Sequence, residues 1–157
     1  MIDFNKVLSI VEAFNREDVS YKVFGGVAVN FHGLPRTTDD VDFFVDPSPA
    51  NVAKIKRALR SIWDDPNLDE IQDDDLVRDY PNFKYNPPDE PFGVDIVSRL
   101  GEAFTYDDLA EETHEIRGVP VRLVTPETLY RMKRDTVRPI DKIDALNLRT
   151  RFDFEDE

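Results

Sequence analysis

The chain has no cysteine and only two histidines among its 157 residues. Without thiols it forms neither disulfide bonds nor cysteine-based metal sites, so a metal site has to use oxygen or histidine ligands. The two histidines, His32 and His114, have no partner in the sequence at a spacing typical of metal sites. We therefore interpret both histidines as structural residues.

Long apolar runs are also missing. No stretch approaches the roughly 20 apolar residues that a helix needs to cross a bilayer. The N-terminal segment MIDFNKVLSI has neither the basic region nor the small-residue cleavage site of a signal peptide. These absences predict a soluble cytoplasmic protein that does not contact a membrane.

Basic residues are few. Lysine and arginine number 20 against 33 aspartates and glutamates, which gives a formal net charge of −13. Such a surface repels phosphate backbones and disfavours a nucleic-acid-binding module, unless basic residues cluster locally. The acidity fits either adaptation to high salt or an ordinary acidic protein. With 40% hydrophobic residues, of which many are aromatic, the chain is long enough for one globular domain.

Hydrophobic periodicity and turn residues predict an α+β (α/β mixed) fold, in which helices flank a mixed β-sheet within a single domain, 1–157. An acidic variable insert covers about 64–79, as a loop or frayed helix. The predicted helices cover 3–16, 27–31, 49–63 and 106–112, and two more begin at Pro126 and Pro139. The predicted strands cover 21–24, 41–45, 83–85 and 94–97, followed by a hairpin with arms 114–117 and 121–124.

A pair of carboxylates accompanies the second predicted strand. Asp40 and Asp42 are two residues apart, so their side chains should project from the same face. Asp95 is a lone acid within an apolar strand, where aspartate is depleted. If the two strands are neighbours, the three carboxylates converge and can hold Mg²⁺ or Mn²⁺. The alternative is that these acids lie on a turn and an exposed sheet edge.

A glycine pair precedes these acids. Gly25 and Gly26 follow the first strand and open a helix, where the missing Cβ atoms allow a sharp turn and close approach of a ligand. The backbone N–H groups there suit triphosphate oxygens. The sequence contains no G-x-x-x-x-G-K-[ST] or G-x-G-x-x-G motif, which removes the P-loop and dinucleotide fingerprints as rival nucleotide sites.

The combination of a strand, a glycine pair, a helix, D-x-D and a later strand aspartate resembles the nucleotidyltransferase (polymerase-β-like) superfamily. The similarity is greatest over FGGVAVNFHGLPRTTDDVDFFVDPSPANVAKIKRAL, and it continues in VTPETLYRMKRDTVRPIDKIDAL near the C-terminus. Within the superfamily, the chain is similar to the small AbiEii-type and minimal nucleotidyltransferases. The acidic stretch 64–79 is the part that the resemblance leaves uncovered.

Applied to this sequence, the resemblance implies catalytic roles for Asp40, Asp42, Asp95 and Lys133. The three aspartates would bind metal, Asp95 would also act as a general base, and the helix residue Lys133 would neutralise phosphate charge. The same resemblance implies the nucleotide-binding residues, namely Gly25, Gly26, Arg36, Thr38 and Lys133. Many relatives carry serine where this chain has Gly26, so one phosphate contact of the family is absent.

Several of these residues have simpler interpretations. Arg36 could offset the neighbouring aspartates, and Lys133 could belong to a solvated basic face. Asp141 and Asp144 match the acidic R-x-x-D-x-x-D ending of the family, but they could also be surface charges near a helix N-terminus.

The expected activity is transfer of a nucleoside monophosphate from an NTP to a hydroxyl acceptor. The acceptor classes are a tRNA end, a small molecule or a protein side chain, and the toxin relatives suggest an antitoxin protein as a partner. The alternative is a catalytically silent binding module that retains the fold and acts through a partner protein.

Overall fold

The computed structural model describes residues 1–78 and 80–154 of the chain. The helices are α1 (Phe4–Arg16), α2 (Gly25–Phe31), α3 (Pro49–Arg60), α4 (Asp75–Arg78), α5 (Pro126–Arg134) and α6 (Pro139–Phe152), and short 3₁₀ turns occupy Pro66–Glu70 and Tyr106–Asp108. The strands are β1 (Tyr21–Phe24), β2 (Val41–Val45), β3 (Asn82–Tyr85), β4 (Val94–Val97), β5 (Arg99–Leu100), β6 (Phe104–Thr105), β7 (Glu111–Ile116) and β8 (Val119–Val124).

Six of the strands form one mixed sheet in the order β3-β4-β2-β1-β8-β7, and β5 pairs with β6 in a separate ribbon. Within the large sheet, β2 runs parallel to β4 and β1 runs parallel to β8, while the remaining pairs are antiparallel. This arrangement confirms the predicted α+β class. The central position of β2 between β1 and β4 brings the glycine pair, Asp42 and Asp95 to one region of the sheet.

Local sequence explains where the helices begin. Asp3 caps α1 by accepting a hydrogen bond from the N–H of Asn5. Ser48 and Thr125 cap α3 and α5 in the same way, and each is followed by a proline at the first helical position. Such caps satisfy backbone donors that have no partner within the helix, and proline has no donor to lose. The predicted helix starts at Pro49 and Pro126 are confirmed.

The side chains of Phe43 and Asp42, which are adjacent on β2, point to opposite faces of the sheet. Phe43 is fully buried and packs on Phe14 of α1 and Tyr21 of β1, with ring centroids 4.7 Å and 5.9 Å away. Because consecutive side chains of a strand point to opposite faces, Asp42 projects away from this cluster. Removing a buried phenylalanine side chain costs about 3–5 kcal/mol. The apolar residues of β2 therefore fix the position of the acid between them.

The prediction of a helix over 106–112 is wrong beyond its first turn. Only Tyr106–Asp108 is helical, whereas Glu111 and Glu112 belong to β7 and pair with residues of β8. The hairpin is correspondingly longer than predicted and turns at Arg117 and Gly118, both of which have positive φ. A two-residue turn of this kind matches the twist of antiparallel strands. Strand pairing here overrides the local helical pattern.

The end of the third helix also differs from the sequence prediction. The third helix ends at Arg60 instead of near residue 63. The acidic segment 64–79 contains the 3₁₀ turn and α4, while Asp79 lies outside the described residues. Within 1–78 and 80–154, no helix has the length and apolar character required to cross a membrane.

Candidate active site

A cavity of about 680 Å³ opens where β1, β2 and β4 meet α2, α5 and α6. Every site residue predicted from the sequence contributes to its wall. These residues are Gly25, Gly26, Arg36, Thr38, Asp40, Asp42, Asp95 and Lys133. Asp141 also lines the cavity. The structure thus brings together residues that are more than 100 positions apart in the chain.

Asp42 and Asp95 occupy matching positions on neighbouring parallel strands. Asp42 of β2 is the direct register partner of Asp95 in β4. Burial raises the pKa of Asp42 to about 7, with further contributions from a side-chain hydrogen bond to Asp95 and from the charge of Asp95. Two carboxylates this close cannot both ionise cheaply unless a cation lies between them. The strand pairing therefore places two carboxylates where each disfavours ionisation of the other.

Asp40 lies one residue before β2 and is held by two donors. Its Oδ1 accepts a hydrogen bond from the N–H of Gly93 at 2.7 Å, and its Oδ2 accepts one from Nζ of Lys84 at 3.1 Å. The charge of Asp40 also contributes to the raised pKa of Asp42. Since all three aspartates line the same cavity, they form one acidic cluster, which we call the carboxylate cluster (Asp40, Asp42 and Asp95).

Lys84 is a site residue that sequence reasoning missed. It lies in β3 opposite Asp95 of β4, and its ammonium group forms an ion pair with Asp40. The hydrogen bond to Asp40 raises the pKa of Lys84. A lysine in the middle of a short exposed strand carries no local signal of this role, because the pairing depends on how β3 is placed beside β4.

The glycine pair fits closely around the acids. Gly25 has a φ of +69°, and a Cβ atom there would lie only 2.1 Å from Oδ2 of Asp42. A Cβ atom on Gly26 would lie 2.9 Å from Oγ1 of Thr38. Helix α2 begins at Gly25, two residues earlier than predicted, so the pair forms its first turn. Only glycine allows the backbone to pass this close to the carboxylate cluster.

Thr38 stabilises the loop that precedes β2. The residue is buried, and its hydroxyl donates a hydrogen bond to the main-chain carbonyl of Asp40 at 3.2 Å. This contact fixes the backbone from which Asp40 projects. The predicted nucleotide-binding role of Thr38 therefore comes with a positioning role that the sequence did not indicate.

A buried ionic network closes the other side of the cavity. Nζ of Lys133 lies 3.0 Å from Asp144 and 3.3 Å from Asp141, and Nε of Arg36 lies 3.0 Å from Asp144. Asp144 is only 2% exposed. Removing one partner from a buried ion pair costs about 3–5 kcal/mol, because the remaining charge is left without compensation. The network thus connects α5, α6 and the loop before β2.

This network excludes three of the simpler interpretations. Asp141 and Asp144 are not surface charges, and Lys133 does not belong to a solvated face, since all three side chains are buried. Arg36 pairs with Asp144 and not with the aspartates beside it in sequence. The functional roles that the resemblance implies for these residues stay predictions.

Solved structures of nucleotidyltransferases share this fold. The solution structure of the antibiotic-resistance factor ANT(2'')-Ia superposes with a TM-score of 0.62 at 16% identity, covering 96% of this chain and 86% of the other. A crystal structure of ANT(2'')-Ia in complex with adenylyl-2''-tobramycin gives 0.56 at 13% identity, with coverages of 94% and 88%. An antigenic nucleotidyltransferase-like protein from Paracoccidioides brasiliensis gives 0.53 at 18% identity, with coverages of 91% and 73%. At these identities the likeness shows the fold.

Sequence comparison places the chain within one family. A search of curated proteins finds no match. In contrast, the family model for "Nucleotidyl transferase AbiEii toxin, Type IV TA system" matches residues 23–144, which include the glycine pair, the carboxylate cluster and the buried ionic network. This family match supports an active transferase over a silent binding module. The chain is a nucleotidyltransferase enzyme that belongs to the AbiEii nucleotidyl transferase family.

Proposed function

We propose that the enzyme transfers a nucleoside monophosphate from an NTP to a hydroxyl acceptor, with release of pyrophosphate, and that the transfer depends on Mg²⁺ or Mn²⁺. The observation that carries this proposal is the pairing of Asp42 with Asp95 on adjacent parallel strands, beside a glycine pair that leaves room for phosphate. Membership of a nucleotidyltransferase family supports the same reaction class.

The carboxylate cluster suits a hard divalent cation. Its ligands are carboxylate oxygens with partial access to solvent, which is the chemistry that Mg²⁺ prefers when it keeps part of its water shell. Burial and the neighbouring Asp95 raise the pKa of Asp42 to about 7, and a divalent cation between the two carboxylates would offset their charge. We therefore assign Asp40, Asp42 and Asp95 as the metal-binding residues. When bound, the cation would offset triphosphate charge and make the acceptor hydroxyl more acidic.

The protein's own groups have distinct proposed tasks. The backbone N–H groups of Gly25 and Gly26 would hold phosphate oxygens, because Phe24 before the helix provides no side-chain cap for them. Lys133 would direct its charge toward the phosphates from its anchored position between Asp141 and Asp144. Asp95 would accept the proton of the acceptor hydroxyl. Positioning and charge neutralisation are the main sources of catalysis in phosphoryl-type transfer.

Charge around the cavity bears on the acceptor. The cations that could form a basic rim for RNA are each paired with an acid: Arg131 with Glu127 at 2.7 Å, Arg134 with Asp135 at 3.5 Å, and Arg138 with Asp141 at 3.9 Å. Together with the net charge of −13, this pairing favours a hydroxylated small molecule or a protein side chain over a tRNA end.

A direct assay tests the reaction. The purified enzyme is incubated with labelled NTPs, Mg²⁺ or Mn²⁺, and separate acceptor panels of tRNA, hydroxylated small molecules and total protein. We expect labelled product with the wild type, and at least a hundredfold less with Asp42→Asn or Asp95→Asn. Asp39→Asn is the matched control, since it removes the same charge from an exposed neighbour and should retain activity. Equal labelling by wild type and Asp42→Asn would contradict the proposal.

A role as the toxin of a toxin–antitoxin pair is a further part of the proposal, supported by the family description. Induced expression of the wild type should then arrest bacterial growth, while Asp42→Asn expressed to the same level should not. Arrest by both proteins would show that toxicity does not come from nucleotidyl transfer.

Calorimetry with NTP and Mg²⁺ separates an enzyme from a silent binding module. The silent module should show no metal-dependent nucleotide binding.

A further inference from the structure

A second group of potential metal ligands lies outside the active-site cavity. His32 is the C-cap of α2, at the opposite end of this helix from Gly25, and Glu112 and His114 lie on β7. Glu112 and His114 are two residues apart on a strand, so they project from the same face. One ligand atom from each of the three residues lies within 4.8 Å of the others. No motif in the sequence indicates this group, because 80 or more positions separate His32 from its two neighbours.

The hydrogen bond of His32 fixes which nitrogen is free. Its Nε2 lies 2.8 Å from the main-chain oxygen of Val124. A carbonyl oxygen only accepts hydrogen bonds, so Nε2 must donate and Nδ1 of the neutral ring carries the lone pair. Histidine ligands of metals commonly donate their second N–H to a backbone carbonyl in this way, which orients the ring toward the ion.

The lone pair of His32 Nδ1 lies close to a carboxylate oxygen of Glu112. Nδ1 of His32 lies 3.6 Å from Oε1 of Glu112, beyond hydrogen-bonding distance, and the His32 side chain is only 1% exposed. A buried lone pair directed at a carboxylate is unfavourable unless a positive group lies between them. The same Oε1 lies 2.8 Å from Nε2 of His114. Three ligand atoms of a tetrahedral site with bonds of about 2.0–2.2 Å would lie about 3.4 Å apart, which is close to these distances.

We propose that His32, Glu112 and His114 form a binding site for a borderline transition-metal ion such as Zn²⁺ or Co²⁺. Two imidazoles and one carboxylate are the ligand set that such ions prefer, whereas Mg²⁺ prefers oxygen alone. For the ion to bind Nε2 of His114, the proton of the neutral ring moves through solvent from Nε2 to Nδ1, with no net release of protons. Since Glu112 and His114 are 42% and 39% exposed, water can fill the fourth position.

The site would brace the active-site scaffold. The ion would join the end of α2 to β7, and the main-chain oxygen that holds His32 belongs to the residue directly before the cap of α5. Helix α2 starts with the glycine pair and α5 carries Lys133, so both elements lead into the catalytic cavity. The expected role is structural, because none of the three ligands lines that cavity.

Cobalt spectroscopy and calorimetry test the proposal on tag-free protein stripped with EDTA. Excess Mg²⁺ is present throughout, so that the carboxylate cluster is occupied by a competing ion. We expect one equivalent of Co²⁺ to give the intense visible absorption of a tetrahedral imidazole site, and Zn²⁺ to displace it. His114→Ala and Glu112→Gln should each weaken Zn²⁺ binding more than tenfold. Both positions are partly exposed on β7, and circular dichroism checks that the variants remain folded.

Two controls separate this site from the proposed active site. Glu115→Gln removes the same charge from the other face of β7 and should bind Zn²⁺ with unchanged affinity. Asp42→Asn should keep the cobalt absorption, even though it is expected to abolish nucleotidyl transfer. Failure of Co²⁺ and Zn²⁺ to bind the wild type would overturn the proposal. Unchanged affinity in both His114→Ala and Glu112→Gln would overturn it as well, and neither result would affect the proposed reaction.

Discussion

Replacing Asp42 by asparagine should stabilise the metal-free protein while it abolishes activity. In the folded state, burial and the neighbouring Asp95 raise the pKa of Asp42 from 3.8 to about 7. The folded protein therefore holds the Asp42 proton more tightly than the unfolded chain does. Stability from this group is fully present below pH 3.8, and it is lost progressively as the pH rises toward 7. Asparagine cannot ionise, so the variant avoids this loss.

The size of the effect follows from the two pKa values. Each pKa unit corresponds to about 1.4 kcal/mol, so the difference between 3.8 and about 7 amounts to about 4 kcal/mol above neutral pH. Asp42 retains partial access to solvent, and water lowers the cost of its charge. We therefore expect Asp42→Asn to raise the free energy of unfolding by about 2 kcal/mol at about pH 8. At about pH 5 the gain should fall by more than half.

Urea unfolding in EDTA-containing buffer, followed by fluorescence of the single tryptophan, Trp63, measures this gain. Asp39→Asn is the matched control, because its side chain is 79% exposed and its loss should change stability by less than about 0.5 kcal/mol. Added Mn²⁺ should narrow the gap between wild type and Asp42→Asn. A variant that is no more stable than the wild type at pH 8, or a gain that does not depend on pH, would refute the reasoning.

Three further substitutions test the walls of the cavity. Gly25→Ala should abolish activity and lower stability by about 1–3 kcal/mol, because the added Cβ would collide with Asp42. Gly33→Ala is the control, since Gly33 also has a positive φ but its Cβ would lie in open space, and this variant should retain activity. Asp144→Asn should lower the free energy of urea unfolding by about 3 kcal/mol, since the buried Lys133 and the partly buried Arg36 lose charge compensation, and a loss under about 1 kcal/mol would show that the network is dispensable. Lys84→Gln should change stability by less than about 1 kcal/mol, because its ion pair with Asp40 is exposed to solvent. The variant should also lower the Mg²⁺ concentration that gives half-maximal activity, because the Lys84 ammonium no longer competes with Mg²⁺ for Asp40. A higher Mg²⁺ requirement would contradict this.

Elements with a local signal could be predicted from the sequence. The strands 21–24, 41–45 and 94–97 are found at the predicted residues, because apolar and β-branched runs bounded by glycine or proline admit few alternatives. The helix starts at Pro49 and Pro126 follow from caps encoded within four residues. The predicted helix over 106–112 failed because its second half gains more from pairing with β8 than from a helical turn.

The candidate site was predictable only in part. The spacing of Asp40 and Asp42 predicts a common direction, and both residues line the cavity although Asp40 lies just before β2. The position of Asp95 beside Asp42 required the family resemblance, because no local pattern shows that β4 is parallel to β2. Lys84 was missed for the same reason, since its partner lies on a loop more than 40 residues earlier.

The sequence by itself determined the chemical groups and their local order: a glycine pair at a strand end, two acids at strand spacing, and no thiol. Tertiary structure alone decided that Asp144 would be buried between two cations and that His32 would face Glu112. Local periodicity reports which side of an element is apolar, whereas the meeting of distant side chains depends on strand order and helix packing. Those are properties of the whole chain, because they arise from the burial of many residues at once.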